Sequence, residues 1–488
     1  MNELDHHGGP RLRGISEVPR SSIASGRFGR LFRTLEPLHL TDEQLRTVAD
    51  RMTESSAGGG GGGWSGTPTA QDNPANPAGY TYLAQFLDHD ITLDATSSLQ
   101  RQNDPDALEN YRTPRLDLDS IYGGGPQASP YLYDNDDPDL MLIGQNPTDR
   151  GFEAVDLPRN QQGRALIGDP RNDVHLIISQ LHLAFLRFHN AAVAHVLADP
   201  TLLIGAETTF QAAQRLVRWH YQWIVVTDLL PRLVGQETAN AVLAHDPKSG
   251  RLRAELVLYR PRNQAFMPIE YSAAAYRLGH SMIRPSYQLN ATVGPIPIFS
   301  PSPTAQPLED LRGFRPLPAN WSVAWERFFP GIGADPTTVQ SSRLIDSHIA
   351  DPLATLPPKI DDQQRSLALL NLFRGDRLGL PAGDAVAAAV ADRVPKITTA
   401  PLSTDELGLG HPAPLWFYIL KEAELRSGGQ HLGPVGGRVV AEVIAGLLSK
   451  DPASFLRAEP SWTPTFPSAQ TGKFTATDLL RMAAGTTA

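Results

Sequence analysis

One segment limits the architecture more than any other: GDPRNDVHLIISQLHLAFLRFHN, beginning at Gly168. Its apolar residues Val174, Ile178, Leu181, Phe185, Phe188 and Ala192 step by four and three, which predicts an α-helix with one continuous apolar face about five turns long. Asp169 stands as a capping carboxylate and Pro170 at the first helical position, so the helix is expected to start there. Further helices are read from Phe210 to Gly235, with Pro231 near the end, from Pro268 to a stop at Pro285, from Leu415 to Leu425 and from Gly437 to Leu448. Strand signals are few and short, as at Leu256–Tyr259. The fold class is mainly α.

At 488 residues, length alone permits two to four domains of roughly 100–200 residues or one large helical domain. Residues 1–70 read as an N-terminal arm, in which Phe28, Leu31, Phe32 and Leu35 recur at helical spacing before Pro37 and the run Gly58–Gly63 serves as a linker. Residues 71–488 read as the catalytic body.

Cysteine is absent, so disulfides, thiolate catalysis, zinc–cysteine sites and iron–sulfur clusters are excluded. Any metal chemistry falls to His, Asp, Glu or backbone oxygen. The net charge of −9 argues against non-specific attraction to nucleic acid or an anionic membrane. No stretch approaches the ~18 uninterrupted apolar residues of a membrane span, and MNELDHHGGPRLRG lacks the apolar centre of a secretory signal. The expectation is a cytoplasmic protein.

Four segments carry candidate chemistry, and each has an ordinary alternative. In YLAQFLDHDITLD, Gln85 and His89 share a helix face and Asp88 and Asp90 flank the imidazole; this is either a strengthened base or a solvated acidic turn. Arg171 sits at the positive end of the long helix, where a cation is mildly disfavoured; it is either functional or a surface partner of Asp169 or Asp173. In AAAYRLGHSMIRP, Gly279 beside His280 allows a flat ligand to approach, although a lone histidine on an apolar helix is commonly a packed core residue. Asn371, in SLALLNLFRGDRLGLP, is an acceptor for a ring N–H or the cap of a turn. A non-haem metal site on Asp88-His89-Asp90 finds no second histidine at ligand spacing on that helix.

Taken in this order, QFLDHD, GDPRND with LRFHN, YRLGH and NLFRG resemble the distal-histidine, distal-arginine, proximal-histidine and asparagine motifs of the animal-type haem peroxidases, in the peroxidase–cyclooxygenase superfamily, particularly its bacterial members. RFGRLF, PLWFYILKEAE and GPVGGRVVAEV extend the likeness over most of the chain. The resemblance implies a single large α-helical domain enclosing haem b. It implies His280 as the iron ligand, Asn371 as its hydrogen-bond partner, and His89 with Arg171 as the pair that forms compound I from hydrogen peroxide. It further implies Gln85 near a distal water and halide site, and Arg277 where the oxygenase branch places a radical-forming tyrosine. Tyr276, about 100° further round a helix, is expected to point away from the haem.

The same resemblance implies calcium beside the distal helix. Asp90 with Thr113, Arg115 (through its carbonyl), Asp117 and Asp119 offers hard oxygen donors from a short loop; the alternative is a solvated acidic loop. The chain departs from the mammalian pattern in two places. Asp88 stands where one haem ester forms, but the second ester position is Val174 and the sulfonium-forming methionine aligns with His175. At most one covalent link, through Asp88, is expected, and with it a lower reduction potential and weak competence toward chloride. The functional expectation is a peroxidase that oxidises halides, thiocyanate or small aromatic donors. Alternatives are a fatty-acid dioxygenase-like enzyme of the same superfamily and a haem- and calcium-binding protein with vestigial activity.

Overall fold

The computed structural model describes residues 26–53, 69–92, 109–110, 113–246, 248–249, 251–262, 264–300, 308–357, 365–394 and 400–486. Residues 1–25 and the glycine run 58–63 lie outside them. The elements that shape the site are, in chain order, strand β1 (Gly26–Gly29), helix α1 (Asp42–Arg51), strand β2 (Asp72–Pro77), helix α2 (Gly79–Ile91), helix α3 (Leu176–Ala198), helix α4 (Thr209–Ile224), strand β3 (Met267–Pro268), strand β4 (Ser341–Arg343) and helices α5 (Leu367–Arg377), α6 (Leu415–Ser427), α7 (Pro434–Lys450) and α8 (Ala476–Ala483). The fold is mainly α, and its strands form only small two- and three-stranded sheets.

Helix α3 packs against α2, α4 and α8. Phe86 of α2 stacks on Phe185 of α3, with ring centroids 4.3 Å apart and planes within 7°, and Tyr221 of α4 meets both rings edge-on. Offset stacks and edge contacts of this kind add to the burial of large apolar area. Cutting Phe86 back to alanine would cost roughly 3–5 kcal/mol. Phe86 lies between Gln85 and His89 in sequence, so its packing in this knot of rings fixes the helix that carries them. Helix α7 is the central one: every residue from Val435 to Leu448 is buried, as befits a helix apolar on nearly all sides.

Several local expectations are corrected. The long helix does not begin at Asp169. Pro170–Asp173 forms a 3₁₀ turn capped by the Asp169 carboxylate, which accepts from Arg171 N at 2.8 Å, and the α-helix starts afresh after His175. Arg171 is therefore outside the first turn of α3. The helix read from Phe210 to Gly235 widens into a π turn at Val225–Leu229 before resuming at Leu230. Proline has no N–H and clashes with the carbonyl four residues back, so a widened turn before Pro231 lets the chain continue. The segment after Pro268 is not one helix. A short helix, Ile269–Ser272, gives way to a 3₁₀ segment, Ala275–His280. Side chains take carbonyls that an α-helix needs there: Arg277 Nε donates to Ser272 O at 2.9 Å and Trp416 Nε1 to Arg277 O at 3.3 Å.

Leu256–Tyr259 is not a strand, because the Val257 and Tyr259 N–H groups donate instead to the buried Glu442 carboxylate of α7, at 2.7 and 3.0 Å. Phe28–Leu35 is not a helix either. Phe28 and Gly29 lie in β1, pairing in parallel with Met267 and Pro268, and the Leu31 and Phe32 N–H groups donate to Glu270 at 3.1 Å. Residues Leu31, Phe32, Leu45, Val48 and Met52 belong to the same core as the rest of the described chain.

Candidate active site

One face of α2 opens onto a cavity of about 980 Å³, counted to its mouth, and presents Thr81, Gln85, Asp88 and His89 to it. The spacing of four between Gln85 and His89 puts both on that face, as expected. The segment Tyr276–His280 lines the same cavity, with an apolar wall of Ile283, Ile298, Phe299, Leu353, Leu356 and Leu367. A second chamber of about 790 Å³ shares Asp88, His89 and Arg277 with the first and adds Arg171, Ser272 and Arg374. Together they make a slot that is apolar at one end and cationic at the other.

His89 is held by a neighbour that periodicity does not reveal. Its Nδ1 lies 2.7 Å from Asn172 Oδ1, and since an amide oxygen only accepts, Nδ1 carries the proton and Nε2 is a bare lone pair. Asn172 Nδ2 in turn donates to His182 Nδ1 at 3.0 Å. Burial, and then the Arg171 charge, pull the His89 pKa down to about 4, so the ring is neutral at ordinary pH. Arg171 pairs with Asp169 at 2.7 Å and also donates to the carbonyls of His89 and Thr92. Asp173 is taken by Arg159, at 2.7 Å. The guanidinium is thus fixed beside the distal helix in the polar chamber, in contact with the backbone of His89 itself.

His175 is a cavity residue as well as a cap. Its Nδ1 accepts from Ile178 N at 3.4 Å, which leaves Nε2–H to donate to Gln85 Oε1 at 2.9 Å. Tyr82 meets the ring edge-on, 4.9 Å away. Burial, and then His89, lower its pKa to about 3. With its oxygen engaged, Gln85 keeps its NH₂ group for other acceptors. Val174 lines the cavity beside it.

On the 3₁₀ segment, burial followed by the charges of Arg277 and Arg374 holds His280 at a pKa of about 3, leaving a neutral ring. The Asn371 amide, on α5, sits 3.2 Å from its Nδ1. The same amide nitrogen donates to Leu367 O at 2.8 Å; binding a metal through Nε2 requires the amide turned over, so that its oxygen accepts from Nδ1–H, at the cost of that bond. At Gly279 an added Cβ would meet nothing within 4 Å, so the backbone faces open space beside the imidazole. Tyr276 does not point away: in a threefold turn residues three apart eclipse, which sets Tyr276 on the face of Gly279, and it lines the cavity. Its ring stacks on Tyr271 at 4.8 Å.

These features fit haem. A tetrapyrrole needs an apolar slot, cations for its carboxylates and a neutral imidazole for its iron, and the slot has Leu353 and Leu367 at one end, Arg277 and Arg374 at the other, and His280 on its wall.

Beyond the distal helix, carboxylate oxygens of Asp90, Asp117 and Asp119 lie within 4.8 Å of one another. Asp90 is fully buried. Leu118 adopts the left-handed conformation (φ 56°) between the two loop aspartates, while Thr113 Oγ1 donates to Asp117 at 2.8 Å and the Arg115 N–H folds back to Thr113 O at 2.7 Å. Three converging carboxylates, one without access to water, suit a hard divalent cation.

Over 94% of its length the chain superposes on peroxidase A from Dictyostelium discoideum, with a TM-score of 0.61, 15% identity and 93% of that chain covered. It superposes over 88% of its length on the fatty acid alpha-dioxygenase of Oryza sativa, with a TM-score of 0.55, 15% identity and 77% of that chain covered. The fold is that of the peroxidase–cyclooxygenase superfamily. Within it, the animal haem peroxidase profile matches residues 91–382, more than half of the chain, and the chain belongs to that family. It is 27% identical over 222 residues to thyroid peroxidase of Canis lupus familiaris, a match covering 45% of this chain and 21% of that protein. The chain thus spans about a fifth of that curated relative's length.

Proposed function

We propose that this chain is a hydrogen-peroxide-dependent haem peroxidase. One observation carries the reading: two neutral imidazoles, His89 buried and His280 half-buried, each with one ring nitrogen beside an asparagine amide, open into a single slot. Haem b, when bound, supplies the iron that accepts electrons from the reducing substrate and passes them to peroxide. His280 would hold it through Nε2, and the Asn371 amide, turned so that its oxygen accepts from Nδ1–H, would orient the ring and raise its basicity. Arg277 and Arg374, which line the polar chamber, would pair with its carboxylates.

His89 Nε2 takes the proton from one peroxide oxygen and returns it to the other, so that the second oxygen departs as water. The neutral state forced by burial is the state this step needs. Arg171 places fixed positive charge where negative charge grows on the departing oxygen, in a site that needs no reorganisation. Gln85, its oxygen tied to His175, turns an N–H donor toward small anions or water. The reducing substrates proposed, from the family resemblance, are halides, thiocyanate or small aromatic donors. Val174 cannot esterify, so at most the Asp88 carboxylate links covalently, and chloride is expected to react far more slowly than bromide or iodide. Calcium on Asp90, Asp117 and Asp119, with Thr113 and the Arg115 carbonyl completing the shell, ties the loop to the distal helix.

Tyr276 favours a second reading. A buried tyrosine on the cavity wall next to an apolar lining suits oxygenation of a fatty acid, although Arg277 stands where the oxygenase branch has its tyrosine. The test is direct. The purified, haem-loaded protein is expected to show a Soret band that shifts with stoichiometric peroxide, to lose that band as His280→Ala, and to oxidise bromide, iodide, thiocyanate or phenols. Oxygen uptake with a long-chain fatty acid and no peroxide turnover would sink the peroxidase reading in favour of the second.

A further inference from the structure

A continuous α-helix running through residues 172 and 182 would separate them by ~15 Å along its axis and turn them onto different faces. The break at His175 undoes this. The 3₁₀ turn Pro170–Asp173 folds back beside α3, and Asn172, His182 and His89 meet in a chain of two hydrogen bonds, 2.7 and 3.0 Å, with all three side chains buried.

This chain has two self-consistent arrangements. In the one observed, the Asn172 oxygen faces His89 and its nitrogen faces His182, so His89 is protonated at Nδ1 and His182 accepts at Nδ1. If the amide turned over, its N–H would face His89 Nδ1, moving the proton of His89 to Nε2 and that of His182 to Nδ1. In that second arrangement Nε2 enters the cavity as a donor and has no lone pair with which to accept a proton. Only the first arrangement permits the base role.

We propose that Asn172 and His182 are positioning residues that hold the tautomer of His89: His182, acting through the Asn172 amide, keeps the Nε2 lone pair of His89 exposed to the slot. Neither residue touches the reacting atoms. The proposal rests on the peroxidase reading, because it concerns the availability of the His89 lone pair to a ligand acid.

Hydrogen cyanide is the probe, since it must surrender a proton as it binds haem iron and so reports an accepting Nε2 without turnover. In the haem-loaded full-length protein, Asn172→Leu is expected to slow cyanide association at least tenfold. Asn172→Asp, which still accepts from Nδ1–H, should stay within threefold of the parent. His182→Phe keeps an aromatic ring of similar size beside Phe86 and should slow association at least fivefold. Ring ¹⁵N shifts in the diamagnetic ferrous carbon-monoxide form should show His89 protonated at Nδ1 in the parent and in Asn172→Asp, and at Nε2 in Asn172→Leu.

Parent-like cyanide rates in both Asn172→Leu and His182→Phe would overturn the proposal. So would an Asn172→Asp variant as slow as Asn172→Leu, which would mean that Asn172 acts by volume alone. A parent protein that binds neither haem nor cyanide would instead overturn the peroxidase reading beneath it.

Discussion

Withdrawing the cation from the three aspartates has an effect whose size follows from their spacing. Carboxylate oxygens of Asp90, Asp117 and Asp119 lie no more than 4.8 Å apart. At an effective dielectric of about 20, each pair of full charges at that separation repels by about 3.5 kcal/mol, or about 10 kcal/mol for the three pairs. That is of the order of the whole stability of a folded domain, roughly 5–15 kcal/mol, so a cation bound among them would relieve a large repulsion. A cation present at about a thousand times its Kd stabilises the fold by about 4 kcal/mol. Unfolding entropy of about 2.1 cal/mol/K per residue over a chain of 488 residues comes to about 1 kcal/mol/K, so chelation should lower Tm by about 4 °C.

The discriminating variant is Asp119→Asn. With EGTA present it should melt above the parent, since two of the three repulsions vanish. With millimolar calcium it should melt below the parent, because a ligand charge is lost. Thermal melts of both proteins, with EGTA and with calcium or magnesium restored, provide the comparison. A parent Tm indifferent to EGTA, together with no calcium in the purified protein by elemental analysis, would refute the reasoning. A variant shifted the same way in both conditions would show that Asp119 matters only to the fold.

Three further outcomes are expected. Because the His89 pKa is lowered to about 4, the neutral form dominates above that pH; the second-order rate with peroxide should be level from pH 8 to about 5 and fall as pH drops through about 4. A fall centred near 6.5, the ordinary histidine value, would contradict the burial argument. His175→Asn can still cap α3, so Tm should change little, while thiocyanate affinity, read by difference spectroscopy, drops about fivefold, the worth of a hydrogen bond of ~1 kcal/mol; the opposite split would make His175 structural only. Acid–organic extraction should leave part of the pigment on the parent polypeptide and none on Asp88→Asn, and equal release from both would eliminate the ester.

How much of this could be read from sequence divides along a physical line. The class of fold came through because apolar side chains report burial at the period of the element, and Leu181, Phe185 and Phe188 do so wherever the helix starts. Gln85 with His89 was also readable, because four residues on one helix is a fixed geometry, and the approach of Asp90 to Asp117 and Asp119 was implied by the family resemblance. What periodicity could not show is a change in the hydrogen-bond ladder. Val174 and Ile178 keep step straight through His175, because side chains face the core whether the backbone there is 3₁₀ or α. The Asn172 link to His182 depends on that change, and so does the presence of Tyr276 on the cavity wall.

The same blindness explains why the third predicted helix failed. A proline at each end and small residues between them are compatible with an α-helix from Pro268 to Pro285, but Arg277 Nε, from within the segment, and Trp416 Nε1, from far along the chain, claim carbonyls that such a helix would use. Trp416 lies 139 residues beyond Arg277, so no local window contains that part of the cause. The 3₁₀ path matters to function because it brings Tyr276, Gly279 and His280 to one wall. Replacing Trp416 by phenylalanine removes the donor while keeping a ring, and the Arg277 carbonyl becomes free to accept from Ser281 N. If that bond is what holds the 3₁₀ path, the variant should show an altered His280–iron stretching band in the ferrous haem protein; an unchanged band would place the cause of the distortion elsewhere.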